Sequence, residues 1–141
     1  MIKLIKPCDE YKEQILNYKK EFIDNNDFSF DGCSELEECE TYEEWIDFEN
    51  RLKLKYGNDF VPIVQYLAIR EEDKKLVGMI NIRLKFTEFL YKFGGNIGYS
   101  VLPSERRKGI AKEMLRLMIE ECKLMNFEKV KAFMLSPSFK K

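Results

Sequence analysis

The segment from Asn96 to Asn126 constrains the fold most, because it predicts a strand, an abrupt turn and a helix in immediate succession. Asn96–Leu102 is short and mostly apolar, as a strand is, and Pro103 ends it because proline cannot donate a hydrogen bond to a sheet. Apolar residues then recur at helical spacing from Ile110 onward, which predicts a helix over Arg107–Asn126. The apolar stripe of this helix is wide, so we expect it to lie flat on a sheet.

Three consecutive cations, Arg106, Arg107 and Lys108, crowd the start of this helix. The helix macrodipole favours anions at that end and disfavours cations. Gly109 follows, and a glycine lets a ligand approach the backbone without a Cβ in the way. Two interpretations stay open: a solvated basic helix start, or an anion bound to the exposed N–H groups of the first turn. The second explains both the charge and the glycine.

The rest of the chain predicts two helices and then a sheet. We expect strands at Ile2–Ile5, Ile63–Ile69, Leu76–Phe86 and Lys129–Leu135, a helix over Cys8–Ile23, a loop over Phe28–Glu40, and a helix from Thr41 to Gly57 that a Thr41–Glu44 capping box begins. Strict alternation from Ile80 to Phe86, with Asn81, Arg83 and Lys85 as the polar positions, indicates one packed and one polar face. The strand–helix–strand step at the end favours a parallel pair.

The resulting fold class is α/β (α+β), with the element order β-α-α-β-β-β-α-β in one domain over residues 1–141. The sheet is predicted to be mixed and flanked by helices. No apolar run approaches transmembrane length, and the N-terminus lacks the apolar stretch of a signal peptide. The cysteines Cys8, Cys33, Cys39 and Cys122 are irregularly spaced, so we expect a reduced, cytoplasmic protein.

Several chemistries are excluded by composition. Without histidine the chain cannot form a Ser-His-Asp or Cys-His catalytic set, and the cysteines form no recognisable zinc pattern, so no metal is expected. Neither a Walker motif nor Gly-x-Gly-x-x-Gly before a helix is present. A pI near 5.7 and the lack of a basic stripe argue against a nucleic-acid module.

Charge is divided unevenly along the chain. Residues 1–60 hold 16 acidic and 8 basic side chains, whereas residues 61–141 hold 9 and 16. The division indicates either two partners of opposite sign or uneven solvation. Ten of the acids lie between Asp27 and Asn50, interleaved with aromatic residues. They could form a wall that attracts an ammonium group, or a solvated face over an aromatic core.

The hexapeptide Arg-Arg-Lys-Gly-Ile-Ala at positions 106–111 resembles the (Gln/Arg)-x-x-Gly-x-(Gly/Ala) signature of the GNAT superfamily of acyl-CoA-dependent N-acetyltransferases. Arg106, Gly109 and Ala111 occupy the three fixed positions. The preceding run Gly-Tyr-Ser-Val-Leu-Pro and the order of elements are similar to the family as well, most of all to its bacterial members. The resemblance therefore covers nearly the whole chain.

The resemblance implies an enzyme that transfers an acetyl group from acetyl-CoA to a primary amine, which attacks the thioester directly. Tyr99–Leu102 would pair with the pantetheine, and backbone N–H groups from Arg107 to Lys112 would hold the pyrophosphate. The implied cofactor residues are Val101, Arg106, Arg107, Lys108, Gly109, Ile110, Ala111 and Lys112. The acceptor would enter on the acidic side built by the first two helices, which favours a cationic amine of a small molecule or peptide.

The sequence also departs from the family. Members usually continue past the fifth strand into another helix and two strands, whereas six residues follow position 135. A non-catalytic acyl-CoA-binding remnant is therefore an alternative, and an uncovered final strand predicts a homodimer. Without histidine, the proton of the amine would go to a carboxylate such as Glu88 or Glu105, or to a water held by Asn96 and Tyr99. Asn96 and Tyr99 could equally be ordinary strand residues.

Overall fold

A four-stranded antiparallel sheet lies at the centre of the part of the chain that the structure, a computed structural model, describes: residues 1–28, 31–54, 63–83 and 97–125. The strands, in spatial order, are β1 (Ile2–Ile5), β2 (Ile63–Arg70), β3 (Lys75–Arg83) and β4 (Ile97–Val101). Three helices accompany them: α1 (Lys12–Asp24), α2 (Tyr42–Leu54) and α3 (Ile110–Met125). The α+β class and the order of these seven elements are confirmed.

Apolar residues on both faces of the sheet place the helices in two layers. Leu67, Ile69, Leu76 and Met79 pack in one cluster with buried residues of α1 and α2, including Tyr18 and Trp45. Tyr66, Ala68, Ile80 and Ile82 pack in another with Ile110, Met114 and Met118 of α3. As expected from its wide stripe, α3 lies on the sheet, and it lies alone on its face among the described helices.

The alternation predicted from Ile80 onward agrees with the side chains that the structure describes in β3. Ile80 and Ile82, on the expected packed face, are fully buried. Asn81, on the expected polar face, is partly buried, and its amide donates to Ser34 Oγ and Gln65 Oε1. Met79, earlier on that face, is fully buried because helices pack on both sides of the sheet. The side chains of Arg83 and Lys85 lie outside the described part of the chain.

The loop between α1 and α2 is packed against β4. Gly32 has a φ of +73°, and a Cβ there would lie 2.5 Å from the Gly98 carbonyl oxygen and 2.6 Å from Tyr99 Cα. The Gln65 amide donates to the Gly32 carbonyl at 2.7 Å. Cys33 and Leu36, farther along the loop, are fully buried. This acidic loop is thus fixed beside the centre of β4.

The start of α2 follows the predicted capping box with a shift of one residue. The Glu44 N–H donates to Thr41 Oγ1 at 3.0 Å, but the Glu44 carboxylate accepts from the N–H of Glu40, not from that of Thr41. Tyr42 and Trp45 are buried, so the core interpretation is confirmed for these two aromatics, whereas Phe28 is exposed.

Some predictions lie outside the described residues. These include the strand Lys129–Leu135, with the parallel pairing and the homodimer that rest on it, as well as Phe30, Glu88 and Asn96. No helix in the described ranges has the length and apolar character needed to cross a membrane. Within the same ranges, no three potential metal-ligating side chains converge.

Gly32→Ala and Gly109→Ala form a matched pair that tests the packing of the α1–α2 loop. Both glycines have φ near +75 to +80°, but a Cβ at Gly109 would meet nothing within 4 Å. We expect Gly109→Ala to lower the free energy of unfolding by about 1 kcal/mol. Gly32→Ala should lower the free energy of unfolding by about 3 kcal/mol or more, because a steric clash adds to the backbone strain. Urea denaturation measures both, and equal losses would contradict the packing of this loop on β4.

Candidate functional site

The outer edge of β4 presents backbone groups without a neighbouring strand among the described residues. The Leu102 N–H donates to the Val77 carbonyl at 2.9 Å, so Leu102 and Val77 are a hydrogen-bonded pair next to the β3–β4 ladder. Because antiparallel pairing alternates, Tyr99 and Val101 direct their N–H and C=O groups away from β3. The Val101 N–H therefore faces away from β3, toward the outer edge of β4.

The turn after β4 brings the start of α3 to this edge. A single 3-10 turn spans Pro103–Glu105, Arg106 is extended, and Arg107 and Gly109 have φ of +66° and +80°. The helix begins at Ile110, not at Arg107 as predicted, because these left-handed residues cannot belong to it. The three cations therefore precede the helix and are not part of it.

Backbone N–H groups at the start of α3 are available to a ligand. The first intrahelical bond runs from the Glu113 N–H to the Gly109 carbonyl at 3.2 Å. The N–H groups of Ile110, Ala111 and Lys112 precede it, so they have no acceptor within the helix. Together with the helix dipole they form a site suited to an anion.

A cavity of about 450 Å³ joins this helix start to the edge of β4. It is lined by residues of the strand, the turn and the first helical turn: Tyr99, Val101, Glu105, Arg106, Arg107, Gly109, Ile110, Ala111 and Lys112. Of the residues predicted to bind the cofactor, all but Lys108 line it. The strand edge and the helix start thus form one continuous surface.

Arg106 fastens the turn to the end of α1. Its Nη2 lies 2.7 Å from Asp27 Oδ2, its Nε donates to the Val101 carbonyl at 3.1 Å, and its guanidinium lies 5.5 Å from the centre of the Phe22 ring. The Glu21 carboxylate accepts the Ser104 N–H at 2.8 Å nearby. The charge of Arg106 is therefore balanced by a carboxylate of the protein.

Glu105 holds the turn from the other side. Its buried carboxylate lies 2.6 Å from Arg70 Nη1, 2.7 Å from Lys75 Nζ and 3.0 Å from Lys108 Nζ. Arg70, Lys75 and Lys108 hold the pKa of Glu105 down to about 2. A carboxylate with so low a pKa is a weak base at neutral pH, so Glu105 is a poor candidate for the proton acceptor compared with the alternative, a water.

Arg107 and Lys112 are the exposed cations of the cavity lining that form no ion pair with another described residue. Lys108, by contrast, is bound to Glu105. The three adjacent cations of the sequence therefore differ in their contacts. Arg106 and Lys108 brace the turn, and Arg107 is available to a ligand.

Tyr99 lines the cavity with its side chain 41% exposed. The next residue, Ser100, is buried on the opposite face, where its hydroxyl lies 2.8 Å from Tyr18 Oη and 3.4 Å from Cys33 Sγ. Burial raises the pKa of Tyr18 well above its usual value and that of the Cys33 thiol to about 12. Both groups therefore stay neutral, and the cysteine is not a nucleophile.

The residues that brace the turn were not recognised from the sequence as parts of the site. Asp27, Arg70 and Lys75 are distant from position 105 in the chain, and no motif links them to it. Their charges alone could not have identified them, because the chain carries many exposed ions. Only the folded sheet brings the β2–β3 hairpin to the β4–α3 turn.

Acid titration tests the state of Glu105. Its pKa lies below the ordinary value near 4.5, so its ion pairs stabilise the fold fully above that pH and lose their effect as the pH falls toward 2. In urea denaturation, the stability difference between the wild type and Glu105→Gln should shrink by about 2 kcal/mol from pH 6 to pH 3. Other carboxyl groups titrate in both proteins and cancel. A constant difference would contradict the ion pairs.

Residues 30–137 match the family model described as the acetyltransferase (GNAT) family. A crystal structure of a GNAT-family acetyltransferase from Staphylococcus aureus Mu50, at 2.20 Å resolution, is similar. The two chains are 20% identical, the match covers 89% of this chain and 69% of that one, and the TM-score is 0.47. No curated protein matches significantly.

Proposed function

The chain belongs to the GNAT family of acetyltransferases, whose family model matches residues 30–137, and from this premise we propose that it transfers an acetyl group from acetyl-CoA to a primary amine. The observation that carries the proposal is the cavity that joins the outer edge of β4 to the start of α3. A strand edge and a helix N-terminus in one surface suit a ligand with an amide-bearing arm and a pyrophosphate.

The residues of the cavity fit acetyl-CoA. The N–H groups of Ile110, Ala111 and Lys112 would hold the pyrophosphate, and the side chains of Arg107 and Lys112 would add charge-assisted contacts. A Cβ at Gly109 would project into open space, so the absence of one leaves room for the ligand beside the backbone. The bound thioester supplies the activated acyl group.

The edge of β4 would orient the acyl group. Its outward groups at Tyr99 and Val101 can pair with the pantetheine amides as a neighbouring strand would. An N–H group on this edge can also donate to the thioester carbonyl as negative charge develops on its oxygen. Because these donors belong to a paired strand, they are held in place before the ligand arrives.

The acceptor would approach from the α1–α2 side, and we propose that it is cationic. Gly32 fixes the acidic loop against β4 at Gly98 and Tyr99. Partial burial raises the pKa of Glu37 in this loop, and the neighbouring Glu35 and Glu38 raise it further, as expected where negative charges crowd. A cationic amine of a small molecule or peptide would relieve that repulsion.

Proton removal is proposed to involve a water near Tyr99. Tyr99 is the β4 residue of the cavity lining whose side chain carries a hydroxyl, and Glu105 is a weak base because Arg70, Lys75 and Lys108 hold its pKa low. Asn96 is proposed as the second holder of this water on the basis of the sequence. The ammonium would first lose one proton to solvent through this water, and the neutral amine would then attack the thioester carbon without a covalent enzyme intermediate. As the C–N bond forms the C–S bond breaks, and the leaving CoA thiolate takes up the proton that the nitrogen loses.

An acyl-CoA-binding protein without turnover is the second candidate, favoured by the engagement of Glu105 with three cations instead of with a substrate. Release of free thiol from acetyl-CoA across a panel of amines distinguishes the two. We expect polyamines and lysine-containing peptides to stimulate release above neutral amines of equal size. CoA binding without release from any amine would support the second candidate, and no binding would contradict both.

Gly109→Glu and Gly109→Lys test the anion site with equal backbone strain and opposite charge. Both place a side chain at φ of +80° in open space, so their losses of stability should be similar. Calorimetric titration with CoA should show no binding for Gly109→Glu at hundreds of micromolar, because a carboxylate takes the place of the anion. Gly109→Lys should retain measurable affinity. Equal affinities for the two variants would contradict an anion at this position.

A further inference from the structure

The Glu105 carboxylate joins three parts of the molecule that are separate in sequence. Arg70 ends β2 and Lys75 begins β3, and the two are register partners across the hairpin. Lys108 lies in the turn before α3 and reaches the same carboxylate at 3.0 Å. The side chain of Glu105 is only 5% exposed, so these contacts form away from bulk water. The carboxylate therefore links the hairpin to the turn that leads to the anion site.

The hairpin end does not need Lys108 for its own charge balance. Asp73 binds Arg70 through two hydrogen bonds of 2.9 and 2.7 Å, which brace this guanidinium independently. Arg70 and Lys75 already balance the two negative charges of Asp73 and Glu105. A third cation adds repulsion, so electrostatic balance within the hairpin does not explain the contact with Lys108.

The strained backbone on either side of Lys108 explains the contact between Lys108 and Glu105. Arg107 and Gly109 both adopt positive φ, and the left-handed conformation is unfavourable for arginine. Such conformations persist where surrounding contacts hold them. The Glu105–Lys108 contact spans Arg106 and Arg107, and the contacts of Arg106 with Asp27 and Val101 hold the preceding residue. The turn is thus held at both ends around Arg107.

We propose that Glu105 is a positioning residue for the anion site, which acts through Lys108. By holding Lys108, it keeps the turn in the conformation that places Arg107 and the free N–H groups of α3 on one surface. Glu105 lines the cavity, but its carboxylate is engaged by Arg70, Lys75 and Lys108 and would repel a pyrophosphate, so its role is to hold Lys108 and not to bind the anion. The inference rests on the proposed function, which identifies the ligand as CoA.

A double-mutant cycle with Glu105→Gln, Lys108→Met and the double variant tests this role in the full chain. Calorimetric titration with CoA should show that each single variant binds about tenfold more weakly, as expected when a charge-assisted hydrogen bond to the ligand is misplaced. The double variant should bind no more weakly than the worse single variant, because both changes break one contact. Additive losses would overturn the proposal.

The direction in which Glu105→Gln changes the affinity for CoA distinguishes a positioning role from other roles of the carboxylate. If the carboxylate acted only through its charge, its removal would strengthen anion binding. If it only braced the hairpin, the melting temperature would fall while the CoA affinity stayed unchanged. Either result overturns the proposal. Lys108→Met alters an exposed side chain, so this variant still tests the proposal if Glu105→Gln folds poorly.

Asp73→Asn is the matched control, since it removes one negative charge from the same Arg70 network, and the hydrogen bonds of Asp73 run to Arg70 and the Lys75 N–H within the hairpin. Its melting temperature should fall while its affinity for CoA stays within twofold of the wild type.

Trypsin cleavage after Arg106 or Arg107 gives a readout without CoA. It should accelerate in Glu105→Gln and Lys108→Met, but not in Asp73→Asn, and equal rates in all would overturn the proposal. If the wild type binds no CoA, the proposed function fails while this cleavage comparison still decides the role of Glu105.

Discussion

The structure of the site depends on how ionic contacts hold the short turn between β4 and α3. The eight residues between Val101, the end of β4, and Ile110, the start of α3, include two left-handed residues. Such a turn is unfavourable by itself. Arg106 ties it to Asp27 at the end of α1, and Glu105 ties it to the β2–β3 hairpin. The cavity exists because both sides of the turn are fastened to the folded core.

These contacts also determine which charges remain for a ligand. A sequence with three adjacent cations suggests three equivalent contacts to an anion, but two of these side chains are bound to carboxylates of the protein. What remains is the exposed pair Arg107 and Lys112 beside free backbone N–H groups. The site therefore relies on the helix start and on a small number of side chains, as is common for phosphate-binding turns.

Much of the fold could be predicted from the sequence because its periodic patterns are strong. The stripe on α3, the apolar strand β2 and the stop at Pro103 all arise from local physics, and the residues lining the cavity follow from them. The start of α3 was placed three residues early, because periodicity does not reveal positive φ at Arg107. The role of Glu105 and the burial of the α1–α2 loop depend on contacts between distant segments. A single sequence carries no signal for those contacts.

The central claim, that the start of α3 and the edge of β4 bind the pyrophosphate and arm of CoA, is tested most directly by amide chemical shifts in a titration of the isotope-labelled protein with CoA. The account predicts saturable shifts that are largest at the N–H groups of Gly109–Lys112 and Val101. Small shifts are expected at Leu36 and Trp45 in the opposite layer. Absence of saturable shifts, or a maximum in that opposite layer, would contradict the account.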